Sequence, residues 1–235
     1  MQEFGHEEEH RDITGGQHRA AVFGISDGLA TNVSLILGFA GAHPATSVVR
    51  LAGIAGMLAG AFSMASGEYI SMKAQQELFE RELAIERRAI ASSPDLEQAE
   101  LVEIYVEQGI DLELAKKLAA TMMRTPELAL ATHVKEELGV STSALGSPVK
   151  AAITSLVTFA IGAFIPLVAW LFVGAPAAVW ISIGLSSLAA LAVGGFLGTL
   201  TGRSVAWSAL RQFLVAAVAA GITFGVGHLI GVGTA

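Results

Sequence analysis

The stretch AVFGISDGLATNVSLILGFAGA, from Ala21 to Ala42, decides the fold class because it is long and apolar enough to cross a bilayer. About 20 apolar residues span a hydrocarbon core that is about 30 Å thick. The stretch nevertheless contains a carboxylate, Asp27, about two helical turns in from its polar end. A carboxylate at membrane depth costs roughly 2.5–3.5 kcal/mol on insertion scales, so such residues usually have a function. Asp27 is therefore the first candidate site residue.

The composition of the whole chain is that of an integral membrane protein. Of its 235 residues, 53% are hydrophobic and 15% are charged, and the mean hydropathy is +0.60, whereas about 25% of the residues in a soluble domain are charged. The chain has no cysteine, which excludes disulfides and thiolate metal sites. The formal charge of −7 argues against a nucleic-acid partner and is compatible with a cationic one.

The apolar residues fall into five runs that are long enough to span a membrane. Their approximate limits are 20–42, 49–72, 150–173, 177–201 and 205–231. A polar segment, residues 1–19, precedes them, and a charged insert rich in helix-forming residues, 73–147, separates the second run from the third. We predict an all-α membrane protein in which five transmembrane helices flank a helical insert, with residues 20–72 as the first pair of spans and 148–231 as the last three.

The distribution of basic residues predicts the orientation. Nine of the fourteen Lys and Arg residues lie between Lys73 and Lys150, and positive charge marks the cytoplasmic side. The N-terminus and the insert should therefore be cytosolic, with Arg50 as the exception. The polar start, MQEFGHEEEHRDITGGQH, resembles neither a secretory signal nor a transit peptide. With the Ala- and Gly-rich composition, it leads us to expect a prokaryotic inner membrane, for which a vacuolar membrane is the eukaryotic equivalent.

Turn and cap residues divide the insert into helices. The second span lacks Gly and Pro from Glu68 to Ala91, so it should continue beyond the membrane as one helix. A new helix should begin at Pro94 and end before Gly109. Asp111 can cap a third helix, which reaches about Arg124. Thr125 can cap a fourth, which ends before Gly139, and GVSTSALGSP is then a linker.

Acidic residues in the insert recur at spacings that place them on shared helix faces. The helix at 94–108 carries Glu97, Glu100, Glu103 and Glu107. The preceding helix supplies Glu82 and Glu86, and the last helix supplies His133, Glu136 and Glu137. Carboxylates with one imidazole and no thiolate suit Fe2+, Mn2+ or Zn2+. A solvated acidic face explains any one of these helices equally well, but three such helices in one short insert favour a metal-binding domain.

Polar and sulfur-containing residues form stripes on the first two spans. The first span has Gly24, Asp27, Thr31 and Ser34 at helical spacing, and the second has Met57, Gly60, Met64 and Glu68. Ordinary packing of the methionines, a wet interfacial Glu68 and a structural hydrogen bond of Asp27 are the alternatives. Together the stripes predict a cation path along Asp27, Thr31, Ser34, Met64 and Glu68. Because metal binding displaces protons from its ligands, exchange of metal for H+ is natural there.

The motifs SDGL in the first span and AGAFSMASGEY in the second, with the glutamate-rich insert, resemble the vacuolar iron transporter family. The resemblance implies export of Fe2+, often with Mn2+, from the cytosol in exchange for protons by a homodimer. It implies that the metal path runs between the first two spans at the dimer interface. Asp27 and Met64 are similar to the family's metal-binding aspartate and methionine. In the insert, Glu86, Glu97, Glu100 and Glu137 fall where the family places metal-binding glutamates.

The chain departs from the family pattern at Gly56 and Ala89, where glutamates are expected, and at His133, where plant members have a methionine. Glu68 is our candidate replacement for the missing membrane carboxylate. A ferroxidase would need Glu-x-x-His on two facing helices, whereas this chain offers His133-x-x-Glu136 once and in reverse. We therefore predict a transporter and not an enzyme. A membrane-anchored metal sensor or buffer is the alternative, although a sensor has no need of Asp27.

Overall fold

A computed structural model describes residues 16–139 and 146–233, which form helices and contain no strand. The N-terminal His/Glu cluster at 6–10 and most of the predicted linker lie outside these residues. In chain order the helices are α1 Gly16–Gly41, α2 Thr46–Ser92, α3 Pro94–Glu107, α4 Leu112–Met122, α5 Pro126–Leu138, α6 Pro148–Phe172, α7 Ala177–Leu200 and α8 Val205–Gly233.

Five of these helices, α1, α2, α6, α7 and α8, are long and apolar enough to cross a membrane. Their bounds agree with the predicted runs to within a few residues. The exception is α2, whose 47 residues make it about 70 Å long, roughly twice the thickness of a hydrocarbon core. Before Lys73 its charged residues are Arg50 and Glu68, whereas charged residues are frequent from Lys73 onwards, so only the preceding part suits a membrane. The prediction that the second span continues as one helix is confirmed.

The chain divides into two compact units, residues 1–70 with 147–235 and residues 71–146. In the first unit, α1 packs against α6, α7 and α8. Glycines allow the backbones of α1 and α6 to come close: a Cβ at Gly28 would collide with the Phe159 carbonyl oxygen, and one at Gly162 with that of Ile25. Small residues are the usual means of packing membrane helices, because lipid supplies no hydrophobic force that drives helices together.

The second unit consists of α3, α4 and α5 with residues 71–92 of α2. Its helix ends confirm the predicted punctuation. The Asp111 side chain caps α4 by accepting hydrogen bonds from two backbone amides, and Thr125 caps α5 by accepting one from Leu128. Gly139 ends α5 with a φ of +65°, which glycine adopts without strain. A small apolar core, composed of Leu101, Tyr105, Ala115 and Ala119, joins α3 to α4.

Candidate metal centre

Four side chains from three helices of the second unit converge on one point. Glu86 lies on α2, Glu97 on α3, and His133 and Glu137 on α5. One ligand atom from each lies within 4.8 Å of the others. Two ligands on opposite sides of one ion lie about 4.0–4.4 Å apart, because metal–ligand distances to oxygen and nitrogen are about 2.0–2.2 Å, so a small approach of the side chains would let the four bind a single divalent ion.

The imidazole of His133 is the centre of this group. His133 and Glu137 are one turn apart on α5, and His133 Nδ1 lies 2.6 Å from Glu137 Oε1. The same nitrogen is 3.3 Å from Glu86 Oε1 and 3.8 Å from Glu97 Oε2. The His133 side chain is fully buried, whereas those of Glu86, Glu97 and Glu137 are 14%, 13% and 27% exposed. The imidazole is thus enclosed by the protein, whereas the three carboxylates are partly exposed to solvent.

The electrostatics of the group favour a bound cation. Burial raises the pKa of the Glu86 carboxyl above its usual range, and the Glu137 carboxylate raises it further, against the opposing effect of His133. Glu86 Oε1 is also buried without a hydrogen-bond partner in the described part of the chain. A buried carboxylate oxygen without a donor is costly. A divalent cation would both offset two of the three negative charges and satisfy this oxygen.

Three other insert residues predicted as ligands stay outside this group. Glu100 is exposed on α3, and partial burial, followed by the charges of Glu137 and Glu97, raises its pKa. Glu136 instead accepts a hydrogen bond from Gln108 Nε2 at 2.9 Å. Glu82 is half-buried one turn before Glu86 on α2. The structure therefore brings together four of the seven predicted ligands.

The predicted stripe on α1, which contains Asp27, and the predicted stripe on α2, which contains Met64, do not face each other within one chain. Asp27 accepts a hydrogen bond from Thr31 Oγ1 at 3.3 Å and lines a cleft of about 510 Å³ whose other walls include Leu197 of α7 and Gln212 of α8. Met64, in contrast, packs on the buried group around Phe159 of α6. The expected Asp27 and Met64 stripes thus have different neighbours.

The remaining stripe residues differ in their surroundings. Ser34 is buried, and its hydroxyl has no partner among the described residues. Glu68 is half-buried on α2. A Cβ at Gly24 would collide with the Thr158 side chain, so this glycine serves the packing of α1 on α6 rather than a polar path.

One polar residue of the first unit was missed by the sequence patterns. Asn32 is 1% exposed, and its Nδ2 donates a hydrogen bond of 2.6 Å to the Ala163 carbonyl oxygen of α6. Its Oδ1 has no partner in the described ranges, and a Cβ at Gly56 would lie 3.1 Å from that oxygen. The sequence does show an amide side chain within an apolar span. It was missed because Asn32 does not lie on the helix face that contains Asp27.

Known proteins resemble this chain over nearly its whole length. A sequence model of the VIT family matches residues 18–228. A protein named vacuolar iron transporter from Centaurea cyanus is 32% identical over 219 residues, which cover 93% of this chain and 89% of the relative. Vacuolar iron transporter 1 from Eucalyptus grandis is 32% identical over 227 residues, 96% of this chain and 90% of the relative. The vacuolar iron transporter of Acanthamoeba castellanii is 32% identical over 233 residues, 94% and 82% respectively.

These matches confirm the resemblance that the motifs indicated. The names of the relatives refer to a vacuole, so they give no support to the expectation of a prokaryotic inner membrane. The family consists of transporters, which agrees with the prediction that the chain is not an enzyme. Matched by a family model over residues 18–228 and by relatives over more than nine-tenths of its length, this multi-pass membrane protein belongs to the VIT family of transporters.

Proposed function

We propose that the protein exports Fe2+, Mn2+ or both from the cytosol in exchange for protons. The observation that carries this proposal is the convergence of Glu86, Glu97, His133 and Glu137 within 4.8 Å. In the proposed orientation the insert faces the cytosol and is the domain that collects metal there. The names of the relatives support iron as the cargo.

The ligand set supports a borderline divalent cation. Three carboxylates supply hard oxygen atoms, and one imidazole supplies a nitrogen, which Mg2+ and Ca2+ do not favour. The chain has no cysteine, so the site lacks the soft ligands that Cu+ prefers. Fe2+ and Mn2+ fit this set, and Zn2+ fits it as well, so we expect Zn2+ to compete for binding.

Asp27 is the proposed membrane site for metal and proton. It is half-buried in α1, a helix long and apolar enough to cross a membrane, and the cleft that it lines is bounded by residues of α1, α7 and α8. Because Asp27 and Met64 have different neighbours in one chain, we propose that a second copy completes the path and that the transporter is a homodimer. Glu68, one turn beyond Met64, is proposed to supply a further carboxylate.

The decisive experiment measures metal and proton flux together. The purified protein is reconstituted into liposomes that contain a pH-sensitive dye, and Mn2+ or anaerobic Fe2+ is added. We expect metal-dependent proton movement in the unchanged protein and its loss in Asp27→Ala. Ser26→Ala is the matched control, because Ser26 lines the same cleft but carries no charge. If Asp27→Ala moved both metals as fast as the unchanged protein, the proposed path would be wrong.

Glu68→Gln tests the second carboxylate in the same assay. Removal of its charge should slow transport and change its pH dependence, because a group that exchanges protons with the metal would be missing. Normal transport by this variant at every pH would exclude Glu68 from the path.

A membrane-anchored metal sensor or buffer is the second candidate function. It is favoured by the fact that all four clustered ligands belong to the second unit, so binding there does not require a membrane path. Both functions predict metal binding by the cluster, but only the transporter predicts flux. Intact metal affinity without any flux in the liposomes would establish the sensor or buffer.

A further inference from the structure

We propose that His43 and His228 form a second, weaker binding site for a divalent cation at the end of the first unit where α1 ends. The two rings are in edge-to-face contact, with their centroids 5.9 Å apart and their planes inclined by 68°. His43 belongs to the loop between α1 and α2, and His228 lies near the end of α8. Both residues are exposed.

Glycine contacts fix the backbones that carry the two rings. A Cβ at Gly227 would collide with the Gly38 carbonyl oxygen, and one at Gly41 would lie 3.1 Å from the backbone nitrogen of His228. One turn further along α8, a Cβ at Gly231 would lie 2.6 Å from the Cα of Ala42. The backbones at the ends of α1 and α8 are therefore in contact on both sides of the two histidines. This contact fixes the positions from which the two imidazoles project.

The backbone of His43 adopts a left-handed conformation that residues other than glycine rarely adopt. Its φ of +54° is the one positive value at a non-glycine residue in the described ranges. The amide of His43, which lies beyond the end of α1, donates a hydrogen bond of 3.0 Å to the carbonyl oxygen of Ala40. Glycine adopts this conformation freely, whereas other residues lose about 1–2 kcal/mol. Strain of this kind is typical of positions that serve a function.

The geometry suits two imidazole ligands of one ion. With metal–nitrogen distances of about 2.0–2.1 Å, the centroids of two rings on one ion lie roughly 5–6 Å apart. The observed separation is 5.9 Å, so we expect rotation of the exposed rings, with a small approach of one to the other, to direct one nitrogen of each at the ion. Water would complete the coordination.

The ligand chemistry predicts a site of different character from the cluster in the insert. No Asp or Glu occurs in residues 38–52, 173–176 or 225–233. The nearby cationic residue Arg50 is directed elsewhere, since its Nε donates a hydrogen bond of 2.9 Å to the Trp170 carbonyl oxygen. Two imidazoles without a carboxylate select borderline ions such as Zn2+, Co2+ and Ni2+. Fewer ligands and no negative charge make the site weaker than the four-ligand cluster.

The role of this site rests on the proposed function, because only a cytosolic insert places the α1–α2 loop on the opposite side of the membrane. On that side a weak site suits release, since an exported ion must leave. Binding by the two histidines is nevertheless measurable without transport.

The test is calorimetric titration of Zn2+ into the full chain, purified without a histidine tag. The starting protein carries Glu86→Gln, Glu97→Gln and Glu137→Gln, which disable the cluster, Asp27→Ala, which removes the proposed membrane site, and His6→Gln, His10→Gln and His18→Gln. We expect one weak Zn2+ equivalent. His43→Gln and His228→Gln should each abolish it, and the double variant should lose no more than either single one, because both rings hold the same ion. The control Ser47→Gln, at an exposed position of the adjacent α2 turn, should retain it.

A separate variant distinguishes a ligand from a structural residue. His43→Gly should lose the Zn2+ equivalent and raise the melting temperature, because glycine removes the strain; a lower melting temperature would mean that the ring serves packing. Persistence of the Zn2+ equivalent in the double histidine variant, or its absence from the starting protein, would overturn the proposal. If the starting protein keeps this equivalent but the unchanged protein shows no flux in liposomes, the proposed function is contradicted and the site is left intact.

Discussion

The two units of the molecule differ in whether their candidate ligand residues lie close together. In the second unit, three helices bring four ligand side chains within 4.8 Å. In the first unit, Asp27 lies in a cleft bounded by α7 and α8, whereas Met64 packs against α6. A helical unit whose carboxylates are partly exposed can gather negative charges, because solvent and a cation can offset them. A membrane bundle has no such solvent, so its few polar groups are spread among close-packed apolar helices.

The comparison indicates that one chain gathers four candidate ligands in the insert, whereas Asp27 of the first unit has few polar neighbours. In the first unit, the described structure around Asp27 supplies one hydrogen bond, from Thr31, and its cleft is otherwise lined mainly by apolar residues. An ion there would need further ligands from water or from a second copy of the chain. The first unit should therefore depend on packing and the second on charge, and the following predictions test each half of that statement.

The largest expected effect is on the packing of the first unit. Gly28→Ala and Gly162→Ala should destabilise the protein by about 3 kcal/mol or more, because the added methyl group meets a backbone carbonyl that no side-chain rotation can move. Thermal unfolding in detergent, followed by tryptophan fluorescence, measures the loss. The three tryptophans, Trp170, Trp180 and Trp207, all lie in the first unit.

Two other glycines of the same unit provide the control. A Cβ at Gly184 or Gly221 would meet nothing within 4 Å, so Gly184→Ala and Gly221→Ala should leave the melting temperature unchanged or raise it slightly. Equal melting temperatures for Gly28→Ala and Gly184→Ala would mean that α1 and α6 are not in close backbone contact.

The next largest effect is the loss of metal affinity in the second unit. Glu137→Gln should weaken Mn2+ binding by the full-length protein at least about tenfold, which is 1.4 kcal/mol, because a charged ligand becomes a neutral one. Electron paramagnetic resonance of free Mn2+ gives the affinity directly. Glu136→Gln removes the same charge from the neighbouring position, but its carboxylate binds Gln108, so it should change the affinity less than about threefold. Equal losses in the two variants would show that net charge, not the four-ligand geometry, binds the ion.

The sequence predicted the helices better than it predicted the site. Helix limits depend on local signals, and both the Asp111 cap and the end of α5 at Gly139 are confirmed. Helical spacing also placed His133 and Glu137 on one face. It did not show that Glu136, the intervening residue, faces away towards Gln108. The direction in which a helix face points is fixed by tertiary packing, which spacing along one chain segment does not contain.

The same limit explains the results for the first unit. Asp27 and Thr31 share a face of α1, as their hydrogen bond shows, but only the packed helices show that Asp27 borders α7 and α8 rather than Met64. Asn32 was missed because its role depends on the Ala163 carbonyl of another helix. The strain at His43 was likewise not visible, because a positive φ is a property of the folded loop.

A smaller effect is expected from the cap of α4, the insert helix without a clustered ligand. Asp111→Ala should lower the stability of the metal-free protein by about 1 kcal/mol, because two amides at the start of α4 lose their acceptor. Mn2+ affinity should stay unchanged, since the four ligands lie on α2, α3 and α5. Urea unfolding followed by circular dichroism, with EDTA present, measures the first quantity. Lys116→Gln breaks only an exposed ion pair with Glu113 and should cost less than about 0.5 kcal/mol.

The smallest expected effect is a pH dependence of the metal-free protein. The pKa of Glu86 is raised above 4.5, first by burial and then by Glu137. Between the pKa of the unfolded chain and the higher pKa of the folded one, the folded state binds more protons, so the free energy of unfolding falls as the pH rises. The contribution of Glu86 is thus favourable near pH 4.5 and is lost as the pH rises through its folded pKa. Solvent screening keeps the effect small, because the carboxylate is partly exposed.

Glu86→Gln isolates this contribution, because glutamine has the shape of the protonated acid and no charge to lose. Without metal, the variant should be more stable than the unchanged protein at pH 7 and should show less decline in stability between pH 5 and pH 7. Its Mn2+ affinity should fall. The same carboxylate would then destabilise the empty insert and stabilise the loaded one, as expected of a residue selected for binding rather than for folding. A variant that is less stable at pH 7 without metal would mean that the Glu86 charge supports the fold. The contrast between a first unit that depends on packing and a second unit that gathers charge for binding would then not hold.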